Sequence, residues 1–262
     1  MSISLSPESD GGARAGFAND SKPAPCQVCA APDPVRFAEK DGLALYRCRD
    51  CALVYLDPMP SADALTALYD DAYAGATTGY FAKPKSKLRR ARARMGRLVR
   101  HAPGGRFLDV GCNGGFMMEA ARERGFEAHG VELDAVSLAY AREHFPENTY
   151  FHGRIEDYAP PAAFDAVVCS EVIEHVPDAY GFTAAIAALM KPGAVLYLTT
   201  PDIGHWRRPR DLARWDAFCP PAHCLYFRRP NLTRLLRRHR LEAFMTQFAW
   251  KPGFKQLARQ TV

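Results

Sequence analysis

The chain has 262 residues, of which 48% are hydrophobic and 24% are charged, so it can bury one sizeable core plus a small appendage. It contains no run of about 18 apolar residues, which excludes a membrane-spanning helix of ordinary length. The net charge is +5, but nine Lys or Arg and no acidic residue lie between Lys83 and Arg100, so the rest of the chain is net acidic.

The first 24 residues lack the apolar segment that a secretory signal requires. We therefore expect residues 1–24 to form a disordered leader. Without a secretion signal, the protein is expected in the cytoplasm, where cysteine thiols stay reduced.

Two CxxC pairs follow this leader, with 18 residues between them. Their four cysteines are Cys26, Cys29, Cys48 and Cys51. The spacing is typical of a tetrahedral, structural or substrate-docking zinc site, in which a hairpin brings two cysteine turns face to face. Strands predicted at 43–47 and 52–56 give a zinc-ribbon-like segment over residues 25–60 that depends on its metal. The alternative is that these cysteines form disulfide bonds. The reducing cytoplasm in which we expect the protein disfavours that alternative.

Residues 61–103 are predicted to form a helical linker that carries a basic helix. From Lys83 to Arg100, apolar residues recur at helical spacing on one face and arginines cover the other. The basic face is either a solvated surface or a rim that attracts an anionic substrate, such as a phosphorylated sugar, a nucleotide conjugate or RNA.

The stretch from Arg106 to Asp134 has the outline of a nucleotide-binding βαβ unit. A short apolar strand stops at Gly111, a glycine-rich turn opens a helix, and a second strand ends at Glu132. Glycines in such a turn let a ligand approach the backbone, and a carboxylate after the second strand accepts hydrogen bonds from ribose hydroxyls. The alternative is an ordinary α/β turn whose glycines serve only packing.

This turn fits neither a dinucleotide fingerprint nor a phosphate loop. Asn113 stands where the dinucleotide pattern requires glycine, and the Gly-Lys-Ser/Thr of a phosphate loop is missing. Asp109, at the end of the first strand, would repel a pyrophosphate but suits a ligand with an ammonium and a sulfonium group. S-adenosylmethionine is such a ligand.

The string LDVGCNGG followed by GVELD resembles motifs I and II of class I S-adenosylmethionine-dependent methyltransferases. The cofactor contacts that the resemblance implies are Asp109, Gly111 and Gly114 at the methionine end, Glu132 at the ribose, Ile155 at the adenine and Ser170 at a strand end. Arg154 departs from the family, because an acidic residue usually stands there. Tyr80 and Phe81 precede the strand that leads to the glycine turn. In similar enzymes, this segment often closes over the cofactor.

Strands and helices alternate from Arg106 onward, which predicts an α/β fold with a mostly parallel, doubly wound Rossmann-like sheet over residues 104–262. Six strands are predicted, the last over 241–250. The resembled class normally adds an antiparallel seventh strand, but the final residues, KPGFKQLARQTV, offer only a weak candidate. We therefore expect a sheet that is short by one strand or has an unusual end.

The string CSEVIEHV stands at the carboxyl end of the fourth strand of that sheet, where ligands bind in such folds. If the chain becomes helical at Ser170, the side chains of Glu171, Glu174 and His175 share one face. Two carboxylates and an imidazole can bind a divalent cation such as Mg²⁺, or act as a general base without metal. In the alternative, Glu174 and His175 only cap and orient the helix.

The SExxEH pattern in this string resembles that of ubiquinone-biosynthesis O-methyltransferases and of small-RNA 2′-O-methyltransferases. In both groups these residues are associated with a divalent metal, which implies Glu171, Glu174 and His175 as metal ligands. The RNA enzymes add a second histidine after the fifth strand, and His223 lies in a comparable place. The candidate catalytic residues are His175, His223 and Glu174.

The whole arrangement looks like bacterial methyltransferases of secondary-metabolite and sugar pathways that carry an N-terminal zinc-binding segment. The expected function is methyl transfer from S-adenosylmethionine to an oxygen of a small-molecule acceptor, whose anionic group the basic helix would attract. Two alternatives stay open, a metal-dependent RNA 2′-O-methyltransferase and a non-catalytic zinc-ribbon binding protein with a relic core.

A long aromatic loop at 201–221 lies beside the expected acceptor site.

Overall fold

The computed structural model describes residues 22–65, 67, 81–248 and 252–261. Residues 1–21 of the predicted leader lie outside the described residues, as do Tyr80 and the last two residues of the strand predicted at 241–250. No helix within the described ranges is long and apolar enough to cross a membrane.

Strands and helices alternate through most of the described chain. The strands are β1 Val35–Lys40, β2 Leu43–Arg47, β3 Val54–Leu56, β4 Arg106–Val110, β5 Glu127–Glu132, β6 Thr149–His152, β7 Phe164–Ser170, β8 Met190–Thr200, β9 Leu225–Tyr226, β10 Leu241–Phe248 and β11 Phe254–Gln260. The α-helices are α1 Pro84–Leu98, α2 Phe116–Arg122, α3 Ala135–His144, α4 Ala179–Ala188 and α5 Arg229–Arg238. Short 3₁₀ turns lie at Ile155–Asp157, Ile173–His175 and Leu212–Arg214.

The larger sheet has seven strands in the order β10-β11-β8-β7-β4-β5-β6. The five strands from β8 to β6 run parallel, and β11 runs antiparallel to both β8 and β10. The predicted α/β sheet is confirmed, and its carboxyl edge lies at the ends of β4, β5 and β7, where the predicted ligand residues stand.

The expectation of a missing or unusual seventh strand is wrong, because β11 is a full antiparallel strand beside β8. Its polar residue Gln256 hid the strand pattern, although this side chain is only 1% exposed. The amide nitrogen of Gln256 donates to Thr233 Oγ1 on α5 over 2.8 Å, so a neighbouring helix supplies a partner for this end of the buried side chain. An inserted strand covered on both faces does not alternate cleanly between apolar and polar residues.

Helices cover both faces of this sheet, as a doubly wound fold requires. Helices α1, α2 and α3 pack on one face in a buried cluster that includes Met95, Leu138 and Val168. Helices α4 and α5 pack on the other face in a second cluster, which includes Phe182 and Leu235. The predicted basic helix is α1, and its buried stripe consists of Ala91, Met95 and Leu98.

The predicted zinc-ribbon-like segment forms a sheet, but not by itself. Strands β1 and β2 form a hairpin, whose turn residues Asp41 and Gly42 have positive φ angles of 54° and 79°, as a tight Asp-Gly hairpin turn requires. Strand β3 then pairs with β9, which comes from the far end of the chain, in the order β1-β2-β3-β9. The buried side chains of this segment belong to the same cluster as those under α4 and α5, so the two parts share one core.

Candidate functional site

The glycine-rich turn follows β4 at the carboxyl edge of the seven-stranded sheet. Gly111 has φ +74°, and its N–H donates to the carbonyl of Val131 on β5 over 2.9 Å. A Cβ atom on Gly114 would lie 2.5 Å from Cε1 of Phe81. Backbone conformation at Gly111 and close packing at Gly114 therefore both favour glycine, in keeping with a turn that lets a ligand approach the backbone.

Glu132 ends β5 and ties the glycine turn to the next helix. Its carboxylate accepts hydrogen bonds from the N–H groups of Asn113 at 2.8 Å, Leu133 at 2.8 Å and Asp134 at 3.0 Å. Burial raises the pKa of Glu132, although these three N–H groups oppose the rise. Oε1 accepts two of these bonds, whereas Oε2 accepts one and keeps a second acceptor site, so the group can hold the turn and still accept a ribose hydroxyl.

Asp109 lies within β4 and is only 4% exposed. Burial raises its pKa well above the ordinary range, the guanidinium of Arg94 on α1 opposes this rise, and the charge of Glu132 adds to it. A buried carboxyl group next to a cation can hold a proton or a charge according to what binds beside it.

Arg94 lies in the site, although the sequence pattern predicted all arginines of the basic helix on its outer face. Its Nη1 donates to Ser170 Oγ at the end of β7 over 3.1 Å, and Ser170 Oγ lies 2.8 Å from Thr199 Oγ1 on β8. Arg94 follows the buried Ala91 by three residues and precedes the buried Leu98 by four. That helical spacing is the signal that could have placed it at the edge of the packed face.

Ile155 opens the 3₁₀ turn that follows β6 and is 4% exposed. It belongs to the same buried cluster as Val110 at the end of β4 and Val131 near the end of β5. Its position is compatible with the predicted adenine contact, which stays a prediction.

The chain does not become α-helical after Ser170, so the predicted shared helical face is wrong. Glu171 has a left-handed backbone with φ +58°, which breaks the helical period before the 3₁₀ turn Ile173–His175. The structure instead brings Glu174 and His175 together with His223, and one ligand atom of each lies within 4.8 Å of the other two. Glu171 is not part of this group.

Backbone and hydroxyl contacts hold this group of three in place. Nδ1 of His175 lies 2.8 Å from the carbonyl of Ala222, and Nδ1 of His223 lies 2.8 Å from the carbonyl of Ala217. The two rings meet edge to face, with centroids 4.4 Å apart. Two Nδ1–H donors to carbonyls put the basic lone pair of each ring on Nε2.

Glu174 is the most buried member of the group, at 1% exposure. Thr200 Oγ1 donates to its Oε2 over 2.9 Å, whereas Oε1 is buried and accepts no hydrogen bond from the described part of the chain. This Oε1 lies 4.0 Å from His175 Nε2. A buried carboxylate oxygen beside an imidazole nitrogen is a position that a cation or a proton can stabilise.

Burial sets the charge of the group. It raises the pKa of Glu174 well above the ordinary range, and Glu171 adds to the rise. It lowers the pKa of His175 to about 4 and that of His223 to about 3, the latter also through its neighbour His175. At neutral pH both imidazoles are therefore neutral and able to accept a proton or bind a metal, while burial favours the protonated form of the Glu174 carboxyl.

The four cysteines of the CxxC pairs form a second group, with all four sulfur atoms within 4.8 Å of one another. Two of the separations are 3.5 Å from Cys26 Sγ to Cys51 Sγ and 3.4 Å from Cys29 Sγ to Cys48 Sγ. Zinc–sulfur bonds of about 2.3 Å in a tetrahedron separate the sulfurs by about 3.8 Å, so small outward shifts would admit the ion.

The two cysteine turns have the same backbone conformation. The N–H of Ala30 donates to the carbonyl of Cys26 over 2.7 Å, and that of Ala52 to Cys48 over 3.2 Å. Both alanines are left-handed, with φ 59° and 60°. This repeated turn points each pair of thiols at the other pair and fits a four-cysteine metal site.

A family model described as a methyltransferase domain matches residues 80–243, which is more than half of the chain. The chain belongs to this family of methyltransferase domains. The match covers the glycine turn, Glu132 and the Glu174–His175–His223 group, and it confirms the family that the two sequence motifs predicted.

Curated relatives of this methyltransferase-family protein are ubiquinone biosynthesis O-methyltransferases. That of Xanthomonas campestris pv. campestris is 41% identical over 104 residues, which are 37% of this chain and 44% of the relative. That of Idiomarina loihiensis is 39% identical over 120 residues, 41% of this chain and 48% of the relative. The methyltransferase-family chain thus matches less than half the length of these two relatives.

Solved structures confirm the fold class of the methyltransferase domain. The 1,6-didemethyltoxoflavin-N1-methyltransferase of Burkholderia thailandensis, solved with S-adenosylhomocysteine, aligns with a TM-score of 0.60 at 18% identity, over 87% of this chain and 100% of the other. The magnesium protoporphyrin IX methyltransferase of Synechocystis PCC 6803 aligns with a TM-score of 0.58 at 13% identity, over 75% and 100% of the two chains.

Proposed function

We propose that this protein transfers a methyl group from S-adenosylmethionine to an oxygen nucleophile of a small molecule. The observation that carries the proposal is the glycine turn braced by Glu132 at the carboxyl edge of the sheet, in a chain of the methyltransferase-domain family. The choice of oxygen and of a small molecule over RNA rests on the O-methyltransferase relatives.

The cofactor would lie across the ends of β4, β5 and β7. Glu132 would accept hydrogen bonds from the ribose hydroxyls, and Asp109 would face the methionine ammonium. Arg94 would pair with the methionine carboxylate, because it is the cation that reaches Ser170 at this edge of the sheet. When bound, the cofactor supplies an activated methyl group on sulfur, and the protein contributes chiefly positioning.

The acceptor would lose its proton to the group formed by Glu174, His175 and His223. One route uses a neutral imidazole as the general base, which the low histidine pKa values permit at neutral pH. The other route uses a divalent cation such as Mg²⁺, which the buried Oε1 of Glu174 supports. The geometry favours His223 over Glu171 as the third ligand of such a cation.

The four cysteines would hold a structural zinc ion, since their number, spacing and shared position fit a closed tetrahedral site. Reduced thiols are needed for this site, in keeping with the cytoplasmic location expected from the sequence. The arginines of α1 that point away from the core would draw an anionic acceptor towards the site.

Calorimetric titration with S-adenosylhomocysteine tests the cofactor assignment. Wild-type protein should bind, and Glu132→Ala should lose at least about 100-fold in affinity because a buried group with three backbone hydrogen bonds is removed. Glu143→Ala, which removes an exposed carboxylate from α3, is the matched control and should bind like wild type. Absence of binding by the wild type would refute the proposed function.

Transfer of a labelled methyl group to a panel of hydroxylated small molecules tests the reaction itself. Repeating the titration and the transfer assay with and without Mg²⁺ separates the two deprotonation routes. A rate that requires Mg²⁺ and is lost in Glu174→Gln supports the cation, whereas a rate indifferent to Mg²⁺ supports the imidazole base.

A further inference from the structure

Gln27 lies within the first cysteine turn and bridges it to a distant part of the chain. Its Nε2 donates to the carbonyl of Pro177 over 2.7 Å, and its Oε1 accepts from the N–H of Ala179 over 2.9 Å. Ala179 is the first residue of α4, where backbone N–H groups have no partner within the helix. Both ends of the Gln27 amide are therefore used, and the partners lie about 150 residues away in sequence.

The segment that Gln27 holds is the direct continuation of the turn that bears Glu174 and His175. Pro177 follows His175 by two residues, and the 3₁₀ turn ends at His175. A bond that fixes Pro177 and Ala179 limits the directions in which the His175 ring can move, because so few rotatable backbone bonds lie between them.

The second cysteine turn holds the other histidine-bearing segment. It leads into β3, whose Leu56 N–H donates to the carbonyl of Cys224 over 2.9 Å, next to His223. The N–H of Cys224 in turn donates to the carbonyl of Glu174 over 3.0 Å. One cysteine turn thus leads to His175 and the other to His223, and the two histidine segments are bonded to each other.

Side chains of α5 fix the cysteine turns from the other side. Asn231, 1% exposed, donates to the carbonyl of Cys51 over 3.2 Å, and Arg238 donates to the carbonyl of Val28 over 2.8 Å. No hydrogen bond in the described ranges joins residues 25–60 to the glycine turn or to Glu132. The hydrogen bonds of the cysteine segment therefore reach the histidine-bearing segments and α5, and within the described ranges none of them reaches the glycine turn or Glu132.

We propose that the four-cysteine site positions the two histidines of the acceptor side, with Gln27 as the positioning residue for His175. A metal ion bound by all four thiolates fixes the distance between the two cysteine turns, and through them the distance between the two histidine segments. No hydrogen bond in the described ranges extends this link to the glycine turn or to Glu132. The statements about turnover rest on the proposed function, whereas those about structure do not.

The test compares Gln27→Met, which keeps the side-chain length but loses both hydrogen bonds, with Gln27→Glu, which keeps only the acceptor for Ala179. Gln247→Met, at an exposed position on β10, is the matched control. The readouts are zinc content, affinity for S-adenosylhomocysteine, hydrogen exchange of the peptides covering 172–179 and 222–226, and separate kcat and KM values.

Gln27→Met should retain its zinc and its affinity for S-adenosylhomocysteine, while amides in 172–179 exchange about tenfold faster. Its kcat should fall about tenfold with KM for S-adenosylmethionine unchanged, and Gln27→Glu should lie between it and the wild type. Removing zinc from the wild type should speed exchange in both peptides.

Unchanged exchange in a zinc-loaded Gln27→Met protein would overturn the proposal. Loss of S-adenosylhomocysteine binding in that variant would overturn it as well, because the cysteine segment would then govern the whole site. If the wild type itself fails to bind S-adenosylhomocysteine, the proposed function fails, while faster exchange in Gln27→Met still supports the positioning role.

Discussion

Arg94 brings a positive charge to a site where the nearest buried charges are carboxylates. Asp109 and Glu132 lie in the interior of the same edge, and the pKa of each is raised by burial. A guanidinium at this point lowers the pKa of Asp109 and offers a partner to an incoming carboxylate. Zwitterionic ligands such as an amino-acid group fit a site in which both signs of charge are buried close together.

Replacing Arg94 should distinguish the amino-acid end of the cofactor from its nucleoside end. Arg94→Met should weaken S-adenosylhomocysteine binding by about 10- to 100-fold, because a charge-assisted hydrogen bond is lost. Binding of 5′-methylthioadenosine, which lacks the amino-acid group, should be unchanged. Calorimetry of both ligands checks this, with Arg92→Met as the control that removes a charge from the outer face of α1. Equal losses for the two ligands would contradict the assignment.

The partly buried imidazole of His175 should make the protein sensitive to acid. Its pKa of about 4 lies below the value of about 6.5 in the unfolded chain, so the unfolded chain binds the proton first as pH falls. The free energy of unfolding of the wild type should therefore fall by about 3 kcal/mol relative to His175→Gln between pH 7 and pH 4. Denaturant unfolding at several pH values measures this, in protein freed of divalent cations. A difference independent of pH would refute it.

At the scale of elements, the sequence predicted what depends on short spacings. The cysteine turns, the glycine turn and the alternation of strands and helices each follow from residues close together in the chain. Several elements escaped prediction, among them the turn after Ser170 and strand β11. The left-handed Glu171 replaces a helix by a 3₁₀ turn, and β11 carries a buried Gln256 that only Thr233 on another element explains.

The cysteine segment should depend on its metal. Purified wild-type protein should contain about one zinc ion per chain, and Cys48→Ser should lose it together with several kcal/mol of local stability. Cys219→Ser, which changes a cysteine outside the four-sulfur group, should keep the metal. Metal analysis and hydrogen exchange over residues 25–60 provide the measurement. A metal-free protein with full protection of this segment would contradict the zinc assignment.

On the scale of the whole molecule, the two sheets are joined by β9 and by a shared core. Leu225 and Tyr226 are 1% and 2% exposed, and β3 covers them in register. No local sequence pattern predicts the pairing of β3 with β9, because a two-residue strand has no periodicity and its partner lies far away in sequence. The sequence therefore predicted two parts, whereas the cysteine segment shares one buried cluster with the face of the larger sheet that α4 and α5 cover.

Deletion of residues 1–60 should consequently damage the domain that remains. The deletion leaves β9 unpaired and uncovers its apolar side chains, so we expect aggregation or a Tm lower by at least about 5 °C. Thermal unfolding and light scattering of the truncated protein measure the effect. A monomeric truncated protein with the Tm and the S-adenosylhomocysteine affinity of the full chain would show that the cysteine segment is a separate domain.

The pairing of Tyr55 with Leu225 also sets an order for biosynthesis. The two residues are 170 positions apart, so the hairpin of β1 and β2 emerges long before the strand that completes its sheet. At a synthesis rate of about 5–20 residues per second, the interval is about 10–30 s. During that time the free edge of β3 is exposed to other chains, and early capture of a metal ion by the cysteines would keep the nascent hairpin compact until its partner arrives.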